Sequence, residues 1–560
     1  MKHSLVVLAS AWMLLPGVAL AQPSLPAEKL AAKSLEARGL RAHIDFLASD
    51  LLEGRGPGTR GDALTQLYLS TQFELLGLKP GAPGGGYLQP FELVGMTGHP
   101  DTMTFTAGAE SMPLRFHEDF IASAGHQGAR SELNGSELVF VGYGIQAPEY
   151  QWDDFKGVDL RGKTLLILNN DPEDDPTLFE GKARLWYGRW DYKYEQAKKQ
   201  GAAGAILVHT TASAGYPWQV VQTSWTGEQF ELPTPPETGA LLQVKAWTTE
   251  EATHRVMTLA GHDLDALRLA ARSRDFQPVA LGVKVSTRFT SQVHRRATAN
   301  VLGLLPGGDP TLSREVVLYT AHHDHLGMKA DAKPGEDAIY NGAVDNASGV
   351  AALLEVARAF TRLPKAPPRS ILFAAVAAEE QGLLGSSYLA EHLPVPAGRV
   401  AADINVDGLN IHGRTRDVTV IGLGKSSLDK PLTALVRAQG RVVKPDQLPD
   451  RGFFYRSDQF SFAKKGIPTV YFSSGMDFID RPAGWGKARR ERWERENYHQ
   501  PSDELGPDAD LSGAVEDTRL FFLLGAQVAR TREAPRWNKG DEFEAPRLRS
   551  LETLKSEGAK

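Results

Sequence analysis

Apolar and polar positions alternate with two different periods along this chain, and the period changes mark its parts. Ala27 to Leu52 and Asp62 to Leu76 carry apolar residues at helical spacing and predict two helices. In the second, Leu64, Leu67, Tyr68, Phe73 and Leu76 form the stripe and Gly77 supplies the stop. Lys79 to Gly86 is rich in Gly and Pro and predicts a loop. From about Ser131 the pattern turns to short strands at Glu137 to Ile145, Lys163 to Asp171, Ala205 to Thr210 and Val283 to Phe289, with a helical segment at Asp191 to Gln200.

Beyond Ala297-Thr298-Ala299 strand and helix come by turns. Strands are predicted at Asn300 to Leu305, Val316 to Thr320, Ser370 to Ala377, Val400 to Val406, Val418 to Ile421 and Thr469 to Phe472. Helices are predicted at Ala347 to Phe360, Leu384 to His392, Leu428 to Gln439 and Gly513 to Arg530. Such alternation predicts an α/β domain, a sheet flanked by helices. The polar stretch after Arg532, with Pro535 and Pro546, predicts an irregular tail.

Composition changes this picture little. With 42% hydrophobic and 23% charged residues and a net charge of −6, the 560 residues make an ordinary globular chain with no basic field for nucleic acid. The start changes it more. Met1-Lys2-His3 is positive, Leu5 to Leu15 is largely apolar but short for a bilayer, and Ala19-Leu20-Ala21 precedes Gln22 as a small-x-small cleavage site. Residues 1–21 are therefore expected to be a signal peptide, and the mature chain to be exported, periplasmic or secreted, without a membrane span. There is no cysteine, so any metal must be held by His and carboxylates.

Candidate chemistry gathers at strand ends in the second half. VVLYT runs into AHHDHLG, which presents His322, His323, Asp324 and His325 just past a strand, where α/β sheets place their ligands. Asp345 lies in GAVDNASG ahead of an apolar helix, Glu379 and Glu380 follow ILFAAVAA, Asp407 ends VAADINV, and His499 lies in YHQPSDE. Each residue alone reads as a turn, cap or surface group. Together they supply two His, a carboxylate able to bridge, two further metal-binding acids and one acid left over for proton transfer. A pair of zinc ions about 3.5 Å apart needs such a set.

AHHDHLG, YNGAVDNASG, AAEEQGLLGS, INVDGLN, RSDQFSFAKKGIP and YHQPSDE resemble, in order and spacing, the motifs of the co-catalytic di-zinc aminopeptidases. That family includes aminopeptidase Y, bacterial leucyl aminopeptidases and the glutamate carboxypeptidase II relatives. ASDLLEGRGPGTRGD resembles the start of their catalytic domain, and ELVFVGYGI, DLRGKTLLIL and AKKQGAAGAILVH resemble a protease-associated domain. The resemblance implies a mixed central sheet flanked by helices with a small β-rich insert. It implies residues 22–130 and 291–532 as the catalytic domain, 131–290 as the insert and 533–560 as a tail. It further implies two zinc ions per chain: Asp345 bridging, His322 and Asp407 on one side, Glu380 and His499 on the other. Glu379 would be the general base acting on a metal-bridging hydroxide, Asp324 the residue that orients His322, and the peptide bond after Asp345 cis.

Two positions depart from the family pattern. Val344 stands where many relatives have Asp, and Gln459 where they often have His. Tyr455 and Asp458 are the candidates for transition-state or substrate contacts, Tyr455 one position out of register. Peptide substrates are expected, and the release of the amino-terminal residue is favoured. Arg451, Arg456 and Arg481 are a modest supply of carboxylate-binding groups, whereas a free amine needs acids. Carboxypeptidase, dipeptidase or glutaminyl-cyclase chemistry on the same ligands, or a non-catalytic peptide-binding protein, stand as the other readings. Side-chain preference and oligomeric state are not encoded in these motifs.

Overall fold

The strand Val316–His322 lies inside a sheet, with a neighbour on each side and every residue buried. In this computed structural model, residues 25–172, 175–235, 241–329 and 332–558 are described; the expected signal peptide lies outside them. Val316–His322 runs parallel to Ser370–Val376 on one side and to Val400–Asn405 on the other. Thr469–Ser474 continues the parallel order beyond Val400–Asn405. Antiparallel neighbours then close both flanks, the end of Val279–Leu305 against Ser370–Val376 and Asp417–Ile421 against Thr469–Ser474. The result is the mixed sheet expected from the sequence.

Helices cover both faces, which is why these strands read as continuous apolar runs. Val317, Tyr319 and Ala321 pack in one layer with Gly349–Thr361, Ser512–Arg530 and the two N-terminal helices. Val316 and Leu318 pack in the other with Leu389, Ala390 and Phe462. Tyr319 Oη donates to Phe521 O at 2.8 Å. A Cβ on Gly525 would lie 1.7 Å from that hydroxyl, so the helix and strand approach closely only because the residue is glycine.

Val279–Leu305, 27 residues long, joins this sheet to a second core. Thr290 to Val301 pair with Leu88–His99, and Val279 to Thr290 pair with Arg130–Phe140. In the second core, Thr164–Leu168, Gly204–His209 and Val244–Thr249 form a parallel set. Met103, Phe105, Leu114 and Phe120, which precede residue 131, are buried in this core with residues of the 133–289 stretch.

Three elements differ from the sequence reading. Ala27 to Leu52 is not one helix but Pro26–Lys33, Ala37–Leu47 and a short turn at Asp50–Arg55. The chain bends at Glu36, whose φ of −136° is extended, and Leu35 is buried at the bend. Glu137 to Ile145 stops as a strand at Phe140, because Gly142 and Gly144 take positive φ and turn the chain. The tail is not irregular: Glu544–Gly558 is helical, anchored by buried Trp537 and Phe543 in the second core. Trp537 Nε1 donates to Gly466 O at 3.0 Å, a partner 71 residues away that no local pattern reveals.

Candidate metal centre

Three adjacent parallel strands deliver their C-terminal ends to one place. His322 closes the central strand; Glu379 and Glu380 follow Ser370–Val376; Asp407 follows Val400–Asn405. Asp345 reaches the same place from the turn ahead of helix Gly349–Thr361, and His499 from the loop after helix Trp485–Glu496. The Asp345–Asn346 peptide bond is cis.

The donor atoms converge. His322 Nε2 stands 3.2 Å from Asp345 Oδ1 and 3.5 Å from Asp407 Oδ1. His499 Nε2 stands 3.4 Å from Asp345 Oδ2 and 3.0 Å from Glu380 Oε2. Asp345 thus turns one oxygen to each histidine. Among the described residues three groups could hold a cation: His322, Asp345 and Asp407; His325, Asp345 and Glu380; and His322, Glu379 and Glu380. All three contain imidazole nitrogen and carboxylate oxygen only, the donors that suit zinc in a chain without cysteine. His499 Nε2 is buried and faces two carboxylate oxygens, those of Asp345 and Glu380, without a hydrogen bond of good geometry to either.

Electrostatics mark the same residues. Burial opposes a charge on His322, but Glu379, Asp345 and Asp407 outweigh it and hold the ring well above the usual histidine range. Burial pushes the Glu379 carboxyl well up; His322 opposes this, and Glu380, Asp407 and Asp458 add to it. Glu380 goes the other way. Burial would raise it, but His499 and His325 bring it down to about 2. Two neighbouring carboxyls with opposite shifts are the pattern expected where one acid exchanges a proton and the other keeps a charge.

Asp324 lies beneath the cluster, fully buried. Its Oδ1 accepts from Glu379 N at 3.0 Å and its Oδ2 from Glu380 N at 3.3 Å. His322 Nδ1 lies 3.7 Å from Asp324 Oδ1 and 3.3 Å from Asp324 O. Tyr455 is not drawn into the cluster: its hydroxyl donates to Glu542 Oε1 at 2.7 Å and its ring lies in the second core. Asp458 is wholly buried, and burial lifts its carboxyl to about 7 against the pull of His322.

Sequence reasoning assigned no part to four residues that the fold brings to the site. His325 Nδ1 sits 2.6 Å from Glu380 Oε1, and His323 Nε2 sits 3.1 Å from Asp62 Oδ1. Asp503 accepts from the backbone amides of Val344 and Asp345 at 3.1 and 3.0 Å. Arg55 binds the carbonyls of His323, Asn341 and Gly342. All four lie inside or beside motifs already singled out: AHHDHLG, YHQPSDE and LLEGRGPGTRGD. That adjacency was the available signal.

Residues 300–522 match Peptidase family M28. Mouse aminopeptidase NAALADL1 is 37% identical over 136 residues, 23% of this chain and 16% of that protein. Leupeptin-inactivating enzyme 1 of Streptomyces exfoliatus is 28% identical over 249 residues, 44% of this chain and 51% of that protein. The chain therefore spans about half the length of these curated relatives, or less. Among solved structures, an aminopeptidase from Aneurinibacillus sp. strain AM-1 shares the fold, with a TM-score of 0.52 and 20% identity over 90% of this chain and 97% of that one.

Proposed function

Since residues 300–522 match peptidase family M28, we propose that the chain is a two-zinc metallopeptidase that releases residues from the free amino end of peptides. The observation that carries this reading is Asp345, which offers Oδ1 toward His322 and Oδ2 toward His499. One carboxylate shared between two histidines on opposite sides is what a bridged pair of metal sites requires. His322 and Asp407 complete one side, Glu380 and His499 the other. When bound, the zinc ions would polarise the scissile carbonyl and acidify the attacking water.

The chain's own groups account for the rest. Glu379, its carboxyl pushed well up by burial and by the acids around it, takes the proton from the attacking water. It then delivers that proton to the nitrogen that leaves. Asp324 holds the Glu379–Glu380 backbone against the His322 strand end, so base and ligand keep their spacing. The acid-rich surround suits the cationic amine of a peptide. The unit around Thr164–Leu168 and Gly204–His209 is read as a protease-associated insert on its sequence stretches, and the export reading rests on residues 1–21. Among the described residues no helix is long and apolar enough to cross a membrane.

A second reading, cleavage from the carboxyl end, is favoured by Arg456. This guanidinium sits near Glu379 and Tyr498 and is the sort of group that pairs with a substrate carboxylate. Mass analysis of one peptide in free, N-acetylated and C-amidated forms separates the two. Loss of residues from the amino end of the free and amidated forms, with the acetylated form untouched, is expected. Equal cleavage of the acetylated form, or shortening from the carboxyl end, overturns the amino-end reading.

A further inference from the structure

Arg55 is 1% exposed and lies 245 or more residues before the stretch that matches the peptidase family. Among the described residues its guanidinium meets no carboxylate directly. Nε donates to His323 O at 2.8 Å, one amino group donates to Asn341 O at 2.6 Å and to Leu47 O, and the other donates to Gly342 O at 3.0 Å. His323 follows the ligand His322, and Asn341-Gly342 precede the bridging Asp345. One planar group therefore binds both loops whose side chains face each other across the metal centre, and anchors them to the end of helix Ala37–Leu47.

The backbone around Arg55 makes the same connection. His325 N donates to Arg55 O at 3.3 Å, Gly327 N to Gly54 O at 3.0 Å, and Tyr340 N to Gly327 O at 3.0 Å. Gly54 has φ of +66°, and a Cβ there would lie 2.2 Å from Gly327 O and 2.8 Å from Tyr340 O. Asp62, seven residues on, holds His323 Nε2 at 3.1 Å and takes a hydrogen bond from Gly58 N at 2.8 Å. Burial brings the guanidinium down to about 10, opposed by Asp324, Asp503, Asp345 and Glu380, so it is a buried cation set among the acids of the site. A buried cation is costly unless it is paired and hydrogen-bonded, and here four backbone carbonyls and the nearby acids offset that cost.

We infer that Arg55 is a positioning residue of the metal centre, a clamp that sets the separation of the His322 and Asp345 loops from a segment outside the family-matched residues. The inference rests on the metallopeptidase reading above. Other residues that pack the same loops would lower stability when altered; a clamp would, in addition, lower zinc affinity and turnover in a chain that still folds.

The test uses the full chain with Arg55→Lys, Gly56→Ala and, as a matched control, Arg369→Lys. Arg369 is as buried as Arg55 and also binds carbonyls, those of Val528, Thr531 and Arg532, at the C-terminal end of helix Ser512–Arg530, and it differs in pairing with Glu315 at 2.7 Å. A Cβ on Gly56 would lie 3.1 Å from Gly327 Cα, so this variant presses on the same loop by a few tenths of an ångström without removing the guanidinium. Zinc affinity is read by competition with a chelator, kcat and KM separately, and melting of the metal-free protein as the measure of fold.

Arg55→Lys is expected to weaken zinc binding about 10- to 100-fold and to lower kcat with little change in KM. Gly56→Ala is expected to do the same to a smaller degree, and Arg369→Lys to lower melting only. If Arg55→Lys does not fold, Gly56→Ala decides. Wild-type zinc affinity and kcat in the folded variants overturn the inference alone. A wild-type chain that takes up no zinc overturns the metallopeptidase reading and this inference with it.

Discussion

Asp324 accepts hydrogen bonds from the backbone amides of both Glu379 and Glu380, at 3.0 and 3.3 Å. A carboxylate that lies two residues beyond the central strand therefore fixes the end of its neighbour, and with it the candidate base and a candidate ligand. Asn in its place keeps one acceptor oxygen and loses the other. Asp324→Asn is expected to reduce kcat about 10- to 100-fold with the fold intact. Steady-state kinetics beside a melting curve check this, and full activity would show that the backbone holds its place without the second bond.

Glu379 and Glu380 are adjacent yet shifted in opposite directions, and the proposed function gives them different roles. Glu379→Gln is expected to lower kcat by about 10²–10⁴-fold, the range for a lost general base, while zinc per chain stays at the wild-type value. Elemental analysis of the purified variant, set against its rate, is the check. Loss of one metal equivalent would give Glu379 the ligand role instead.

Tyr455 donates to Glu542, so its hydroxyl links the motif before Ser457-Asp458 to the C-terminal segment. Tyr455→Phe is expected to cost about 2 kcal/mol of stability, as for a lost hydrogen bond to a charged acceptor, and to leave turnover unchanged. Denaturant unfolding and an activity assay separate the two effects. A large fall in kcat without a change in stability would return Tyr455 to the reaction.

His412, in the segment that follows Asp407, is expected to give stability a pH dependence of its own. Burial, with Arg489 and Arg481 adding to it, lowers its ring to about 4. An unfolded chain binds that proton near 6.5, so between about 6.5 and 4 the unfolded state holds more protons than the folded one. Stability is then present above the unfolded value and declines as pH falls through this window. His412→Gln is expected to flatten the decline, as seen in melting temperature followed from pH 7 to 4. Unchanged slopes would show that other groups set it.

The sequence by itself determined the parallel strands and the residues at their ends. Val316 to Thr320, Ser370 to Ala377 and Val400 to Val406 are apolar because helices cover both sheet faces, and such runs can be read without a fold. His322, Glu379, Glu380 and Asp407 stand directly after them, so their convergence follows once the strands are neighbours. Tertiary structure alone decided what those residues lean on. Arg55 reaches His323 O across 268 positions of chain, Asp324 reaches Glu379 N across 55, and Tyr455 reaches Glu542 across 87. It also decided that the tail is a helix, because Trp537 and Phe543 found a core to enter. The division has a physical reason. Periodicity records which face of an element meets apolar surroundings, a local property of the chain. A hydrogen bond between distant side chains and backbone leaves no period, and exists only after the elements have packed.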